Sequence, residues 1–303
     1  MLNRYTHGKV AWIDLFNPTE SEVRDVMESC KIPLVLLTDV MGPVPRSGAK
    51  ESDKVIKLMI DYPVVKRTDI ERPHDIKFFI TKNTLVTAHY EEISALYKFS
   101  KEFEVLSILG KAGPNLHGGH LFGALMHTLY DALVAKLDYL ETQMESVDRE
   151  IFSGNEKEMV LEISKITRKL ITFRQTLISH GDVMQDAHPF FLKLFGHSFT
   201  SQLQDLDAYY DHVMRRLVSL TESIHELSST NNSLLTTKEN EISKNLTVMA
   251  FITFPLTLIS SIFGMNVVEM PFVESPFGFF ILLAIMAGVA SCFFFYFKYK
   301  RWF

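Results

Sequence analysis

The stretch LTVMAFITFPLTLISSIFGMN (residues 246–266), the loop VVEMPFVESP (267–276) and the run FGFFILLAIMAGVASCFFFYF (277–297) together decide the fold. Lipid offers no partner to a free backbone N–H or C=O. A chain therefore crosses a hydrocarbon core of about 30 Å as a helix of about 20 apolar residues. Residues 246–263 and 277–297 reach that length without a single Asp, Glu, Lys or Arg. Two membrane spans joined by a short hairpin thus follow roughly 240 residues that work on one side of the bilayer.

Lys and Arg beside a span stay on the cytoplasmic side more strongly than acids stay on either side. Lys238 and Lys244 precede the first span, and Lys298, Lys300 and Arg301 follow the second. The loop between them carries only Glu269 and Glu274, so it is expected outside and both termini in the cytoplasm, in the cell (inner) membrane of a bacterium or archaeon. Met1-Leu2-Asn3-Arg4-Tyr5-Thr6-His7 has neither an apolar signal core nor an Arg-rich transit pattern, so the N-terminal region is expected to stay where it is made. With 47% hydrophobic and 22% charged residues over 303 positions, a sizeable folded part fits besides the spans. Setting aside the charges beside the spans leaves 34 acids against 28 bases, which argues against a nucleic-acid partner and suits cations. Cys30 and Cys292 stand far apart and imply neither a disulfide framework nor a zinc cluster.

The chain divides by pattern. Residues 1–118 read as an α+β cytoplasmic domain, with strands expected at 9–15, 54–65, 76–81 and 85–89. The last two flank a tight turn at Lys82-Asn83. Asn17-Pro18-Thr19-Glu20 opens a helix to about Ser29, with Thr19 and Glu22 at capping-box spacing. Residues 119–245 form a stalk of long helices. Leu121, Leu125, Leu129, Leu133, Leu137 and Leu140 mark the first by spacings of three and four. A second is expected at 156–180, with Gly181, His188-Pro189 and Gly196 in the turn after it. The third runs from 202 to 265, about 95 Å at 1.5 Å per residue, so that stalk and first span are one helix. Residues 246–266 are the first span, 267–276 the external acidic loop, 277–297 the second span and 298–303 a basic cytoplasmic tail.

Along the third helix Asn240, Ser243, Leu246, Ala250, Thr253, Thr257, Ser261 and Gly264 share a face that is small and largely polar. Polar groups in a span face a bundle interior or a water path, although close packing through small residues explains the same face equally well. The loop beyond it favours the water path. Asn266 presents a neutral carboxamide, and a ring of such oxygens can hold the water shell of a hydrated cation. Magnesium sheds water reluctantly, and a neutral ring binds weakly enough to release it. Glu269 and Glu274 would concentrate cations outside the mouth.

Phe263-Gly264-Met265-Asn266 resembles the mark of the CorA-type magnesium transporter family, Gly-Met-Asn at the outer end of the first of two C-terminal spans. Asn240-Glu241-Ile242, the segment from Phe254-Pro255 to Ile259, Met270-Pro271 in the loop and Lys298-Tyr299-Lys300-Arg301-Trp302 extend the likeness. Trp12-Ile13-Asp14 and the Lys82-Asn83 hairpin carry it toward the N-terminus. The resemblance implies a funnel-shaped homopentamer that takes up Mg2+, which would be both cargo and regulator. It implies Gly264, Met265 and Asn266 as selectivity filter, with Asn266 holding the hydrated ion, and Thr257 and Asn240 as further polar rings. Leu246 and Phe254 would form a dry constriction. Ser243 stands where the family often has an apolar gate residue.

The resemblance further implies a regulatory Mg2+ on carboxylates between neighbouring subunits. Counting back from Asn266 without gaps reaches Asp205, and the likeness of Val35-Leu36-Leu37-Thr38-Asp39-Val40 to a Leu-Glu-Asp segment reaches Asp39. Thr38 replaces an acid there, alignment on Tyr210-Asp211-His212 shifts the register by three, and a solvated carboxylate is the alternative at both positions.

Other readings stand beside this one. Co2+, Ni2+ or Zn2+ on the same scaffold is the second, and a membrane-anchored oligomeric adaptor is the third. His117-Gly118-Gly119-His120 with His127 suggests transition-metal sensing or, more simply, a loop entering a helix at Leu121. No phosphate-binding glycine loop, nucleophile elbow or paired-acid motif points to an enzyme.

Overall fold

The computed structural model describes residues 1–36, 40, 47–63, 74–109, 116–265, 277–300 and 302. They belong to two units, Met1–Ser228 and Ser229–Phe303. In the first, strands β1 (Leu2–His7), β2 (Val10–Phe16), β3 (Gly48–Ser52), β4 (Val55–Tyr62), β5 (His74–Ile80) and β6 (Thr84–His89) form one sheet in the order β1-β2-β6-β5-β4-β3. Only β2 and β6 run parallel; the other neighbours are antiparallel.

The four expected strands fall on β2, β4, β5 and β6, whose apolar runs are buried on both faces. The turn at Lys82-Asn83 is closed by the Thr81 N–H donating to the Thr84 carbonyl at 2.8 Å. Strands β1 and β3 were not expected. They are the sheet's edges, LNRYTH and GAKES, and polar side chains there discourage pairing with another sheet while hiding the strand from an apolar pattern search.

Helix α1 (Glu20–Ser29) starts as its sequence dictates. The Glu22 N–H donates to Thr19 Oγ1 and the Thr19 N–H to Glu22 Oε2, so two otherwise orphaned donors are satisfied. Val23, Val26 and Met27 of α1 cover one sheet face, built from Ile13, Leu15, Phe79 and Val86. The opposite parity faces α2 (Ser94–Leu109), α3 (Gly118–Phe152) and α4 (Glu156–Phe195). Trp12 meets Phe99 of α2 at 4.9 Å, Phe78 meets Phe122 of α3 at 5.4 Å, and Phe122 stacks on Phe191 of α4 at 5.2 Å. The six leucines that predicted α3 are all 4% exposed or less. Each such burial is worth about 1.5–3 kcal/mol.

The second long helix corrects the expectation of a stop near residue 180. It runs through Gly181 and Pro189 and ends only at Gly196, whose φ of +84° suits glycine. Gly181 is a packing residue, because a Cβ there would lie 2.7 Å from Tyr210 Oη. Pro189 lacks an N–H to donate inside the helix, yet Ala187 and Phe191 beside it are fully buried, and that packing holds the turn together. Helix α5 (Thr200–Phe263) has 64 residues, and α6 (Gly278–Tyr299) follows.

Candidate ion pathway

The second unit contains α5 from Ser229 onward and α6. In their most apolar 18-residue windows only 6% and 0% of residues are buried. A soluble core helix would bury that surface; this surface needs lipid or other copies of the chain to cover it.

Helix α5 sorts its residues by face. Val248 is 1% exposed, and Ile252, Pro255, Leu256, Ile259 and Phe263 are half-buried. This side meets α6 through Phe251 and Phe297, with ring centroids 6.1 Å apart, and Phe297 packs on Trp302 at 5.5 Å. Asn240, Ser243, Leu246, Thr253, Phe254, Thr257 and Ser261 are exposed, and Ala250 is half-buried. At 100° per residue Thr257 and Val248 point in opposite directions, so the small polar face lies opposite the face that packs. Thr253 Oγ1 donates to the Met249 carbonyl at 2.8 Å and Thr257 Oγ1 to the Thr253 carbonyl at 3.0 Å. With the proton committed to the backbone, each hydroxyl presents lone pairs outward, as a path for hydrated cations requires.

The Gly264 N–H donates to the Ser260 carbonyl at 2.9 Å and the Met265 N–H to the Ile262 carbonyl at 3.2 Å as the helix ends. Gly264 does not adopt a left-handed φ; a Cβ there would stand 3.2 Å from the Ser260 oxygen, a tight contact. Asn266, Asp39, Glu269 and Glu274 lie outside the described residues.

Asp205, in the first unit, is exposed on α5 beside a groove of about 230 Å³ that also touches His120, His127 and Gln202. Gln202 Nε2 and His120 Nε2 are 2.9 Å apart. The rings of His117 and His120 lie 3.8 Å apart, and His117 stacks on Phe195 at 4.3 Å. Burial, then the neighbouring charge of His120, pulls His117 down to about 4; burial lowers His120 as well. Both imidazoles are therefore neutral at pH 7. Among the described residues, no group of three or more His, Cys, Asp or Glu is placed to hold a metal ion. The glycines of this segment serve packing at the start of α3: a Cβ on Gly118 would run into the Thr81 carbonyl oxygen, and one on Gly119 would crowd the Phe199 and Phe195 rings.

Sequence reasoning did not reveal the buried polar network of the sheet. Thr87 Oγ1 donates to Asp14 Oδ1 at 2.6 Å, Trp12 Nε1 donates to Thr87 Oγ1 at 3.0 Å, and His89 Nε2 lies 3.3 Å from Asp14. Burial works against the charged His89 ring, but the hydrogen bond and charge of Asp14 and the Glu91 carbonyl outweigh it, so His89 stands above its ordinary value. Asp14 and His89 border a cavity of about 760 Å³ that Tyr97 and Lys136 also line. Their partners are more than 70 positions apart, a distance no local pattern spans.

A mixed α/β unit, a 64-residue helix and two C-terminal helices long and apolar enough to cross a membrane are the parts of a two-span membrane protein. The chain belongs to the CorA-like Mg2+ transporter protein family, whose model matches residues 7–301. It is 24% identical over 310 residues to the cobalt/magnesium transport protein CorA of Methanocaldococcus jannaschii, covering 97% of this chain and 92% of that protein. It is 29% identical over 194 residues to the Thermotoga maritima protein of the same name, covering 59% of this chain and 52% of that one. The complete structure of the M. jannaschii CorA magnesium transporter superposes with a TM-score of 0.84 at 20% identity, over 97% of this chain and 92% of the other, which establishes a shared fold.

Proposed function

We propose that the chain forms a homopentameric channel for divalent cations, predominantly Mg2+, with both termini in the cytoplasm. The observation that carries this reading is the division of α5: a packed apolar side through Val248 and, opposite it, an exposed side of Ser243, Leu246, Thr253, Thr257 and Ser261, with Asn240 exposed nearer the start of this stretch. Several copies placing that side on a common axis would line a wet path with hydroxyl and amide oxygens. Asn266 is the outer filter in this reading, shaped by Gly264 and Met265, and it recognises the ion with its water shell intact. Leu246 and Phe254 close the path by dewetting when their rings draw together. Glu269 and Glu274 raise the cation concentration outside. Asp39 and Asp205 bind a regulatory Mg2+ between subunits, so a high internal concentration favours the closed state.

The relatives named cobalt/magnesium transport proteins support a pathway that also passes Co2+. Magnesium flux into liposomes, compared between the wild type and Asn266→Ala with Co2+, Ni2+ and Zn2+ in parallel, tests both parts. Loss of flux in a variant whose pentamer persists is expected. Undiminished flux through Asn266→Ala would remove the filter, and Zn2+ or Ni2+ carried in preference to Mg2+ would reassign the cargo.

A further inference from the structure

The cavity of about 760 Å³ in the first unit has no part in the proposed ion path. It lies at the end of the sheet where β2 and β6, the parallel pair, both finish, and Asp14, Phe16 and His89 of those strands border it. The crevice outside the carboxyl ends of parallel strands is where open α/β sheets admit small molecules. Pockets for such ligands occupy about 300–1,000 Å³. Tyr5, Phe16, Tyr62 and Tyr97 bring aromatic rings to the lining.

The charges on the lining say what kind of molecule fits. Three cationic groups there have a carboxylate each: the Met1 ammonium lies 3.5 Å from Glu22, Lys101 3.0 Å from Glu104 and His89 3.3 Å from Asp14. Lys136 of α3 has none among the described residues. Its half-buried ammonium donates to the Pro63 carbonyl at 2.8 Å and stands 4.3 Å from the centroid of the Tyr62 ring. Burial pulls it down only to about 8, so it still carries its charge at pH 7. A carbonyl and a ring face orient an ammonium without neutralising it, and the bond to Pro63 uses one of its three donors. A charge withdrawn from water and left without a counter-ion is costly, and an anion entering the cavity would remove that cost.

We propose that this cavity binds a small aromatic anion, a phosphate or carboxylate on a planar ring, with the Lys136 ammonium as its counter-ion and Tyr97 beside its ring. The full-length protein in phosphatidylcholine nanodiscs is titrated calorimetrically with phenyl phosphate, benzoate and AMP, each beside its neutral counterpart phenol, benzamide or adenosine. At least one anion is expected to bind, and its neutral counterpart about tenfold more weakly, the effect of one lost charge-assisted hydrogen bond. Lys136→Gln keeps a donor for Pro63 and removes the charge, so it should abolish that preference, whereas Lys136→Arg should retain it. Tyr97→Ala should weaken the anion and its counterpart alike; should Lys136→Gln fail to fold, Tyr97→Ala decides whether the ligand sits in this cavity. Failure of all three anions to bind the folded protein overturns the proposal. So does equal binding of anion and counterpart, wild-type binding in Tyr97→Ala, or a preference that survives in Lys136→Gln, which would leave Lys136 as a strut for Pro63.

Discussion

Helices α3 and α5 both carry apolar residues at helical spacing, and they dispose of them in opposite ways. On α3, Leu125, Leu133, Leu137 and Leu140 are each 0% exposed, covered by the same chain. On α5 the disposition changes along one helix: Val213, Leu217 and Ile224 are 0% exposed, whereas Leu246, Phe254 and Leu258 are 62%, 73% and 62% exposed. The first unit therefore completes its own core. The second presents apolar surface that only lipid or further copies can take out of water, which is why a membrane protein of this kind is legible from the burial pattern of one chain.

The sharpest way to break that contrast is a matched pair of truncations. Leu137→Ala should cost the folded chain about 2–5 kcal/mol, seen as a lower unfolding midpoint in detergent, because it leaves a cavity that the surrounding helices cannot close. Leu258→Ala should cost less than about 1 kcal/mol in lipid, where acyl chains fill the space. Equal costs would mean that Leu258 is packed against protein. Next in size is Gly118→Ala, expected to cost about 1–3 kcal/mol, since the new methyl meets a backbone oxygen at 2.2 Å and helix or turn must move. An unchanged melting temperature there would contradict the close approach of α3 to the β5–β6 turn.

Thr19→Ala should remove about 1 kcal/mol from the first unit by opening the capping box, and leave the ion ranking in liposomes as it was. A shifted ranking would show that the two units are coupled through α1. The smallest effect is a pH dependence. His89 stands above its ordinary 6.5, so the stability it contributes is fully present below that value and is lost as pH rises through the folded-state value. The difference in melting temperature between wild type and Asp14→Asn should accordingly be larger at pH 6 than at pH 8; a difference that grows with pH would reverse the assignment.

Features with local causes were legible before the structure. The capping box of α1, the leucine stripe of α3, the turn at Lys82-Asn83 and the two apolar C-terminal helices each follow from a few adjacent residues. The polar face of α5 was legible for the same reason, since helical geometry alone determines which residues share it. Edge strands β1 and β3 were not, because a strand with one neighbour needs no apolar alternation. Gly181 and Pro189 read as breakers by intrinsic preference, and burial around them overrides it. Lys77, a charged residue within HDIKFFI, is fully buried, which no local pattern shows.

The amino-acid sequence by itself determined that two helices are long and apolar enough to cross a bilayer, that the first carries a small polar face and that a mixed α/β unit precedes them. Hydrophobic run length, helical periodicity and cap chemistry act over a few residues and need no partner. Only the tertiary structure decided which side of α5 packs, why the glycines at 118 and 181 are small, and where Lys77, Tyr90, Asp14 and His89 spend their hydrogen bonds. Those outcomes depend on contacts between residues far apart in the chain, whose geometry exists only after the sheet and helices have closed around them.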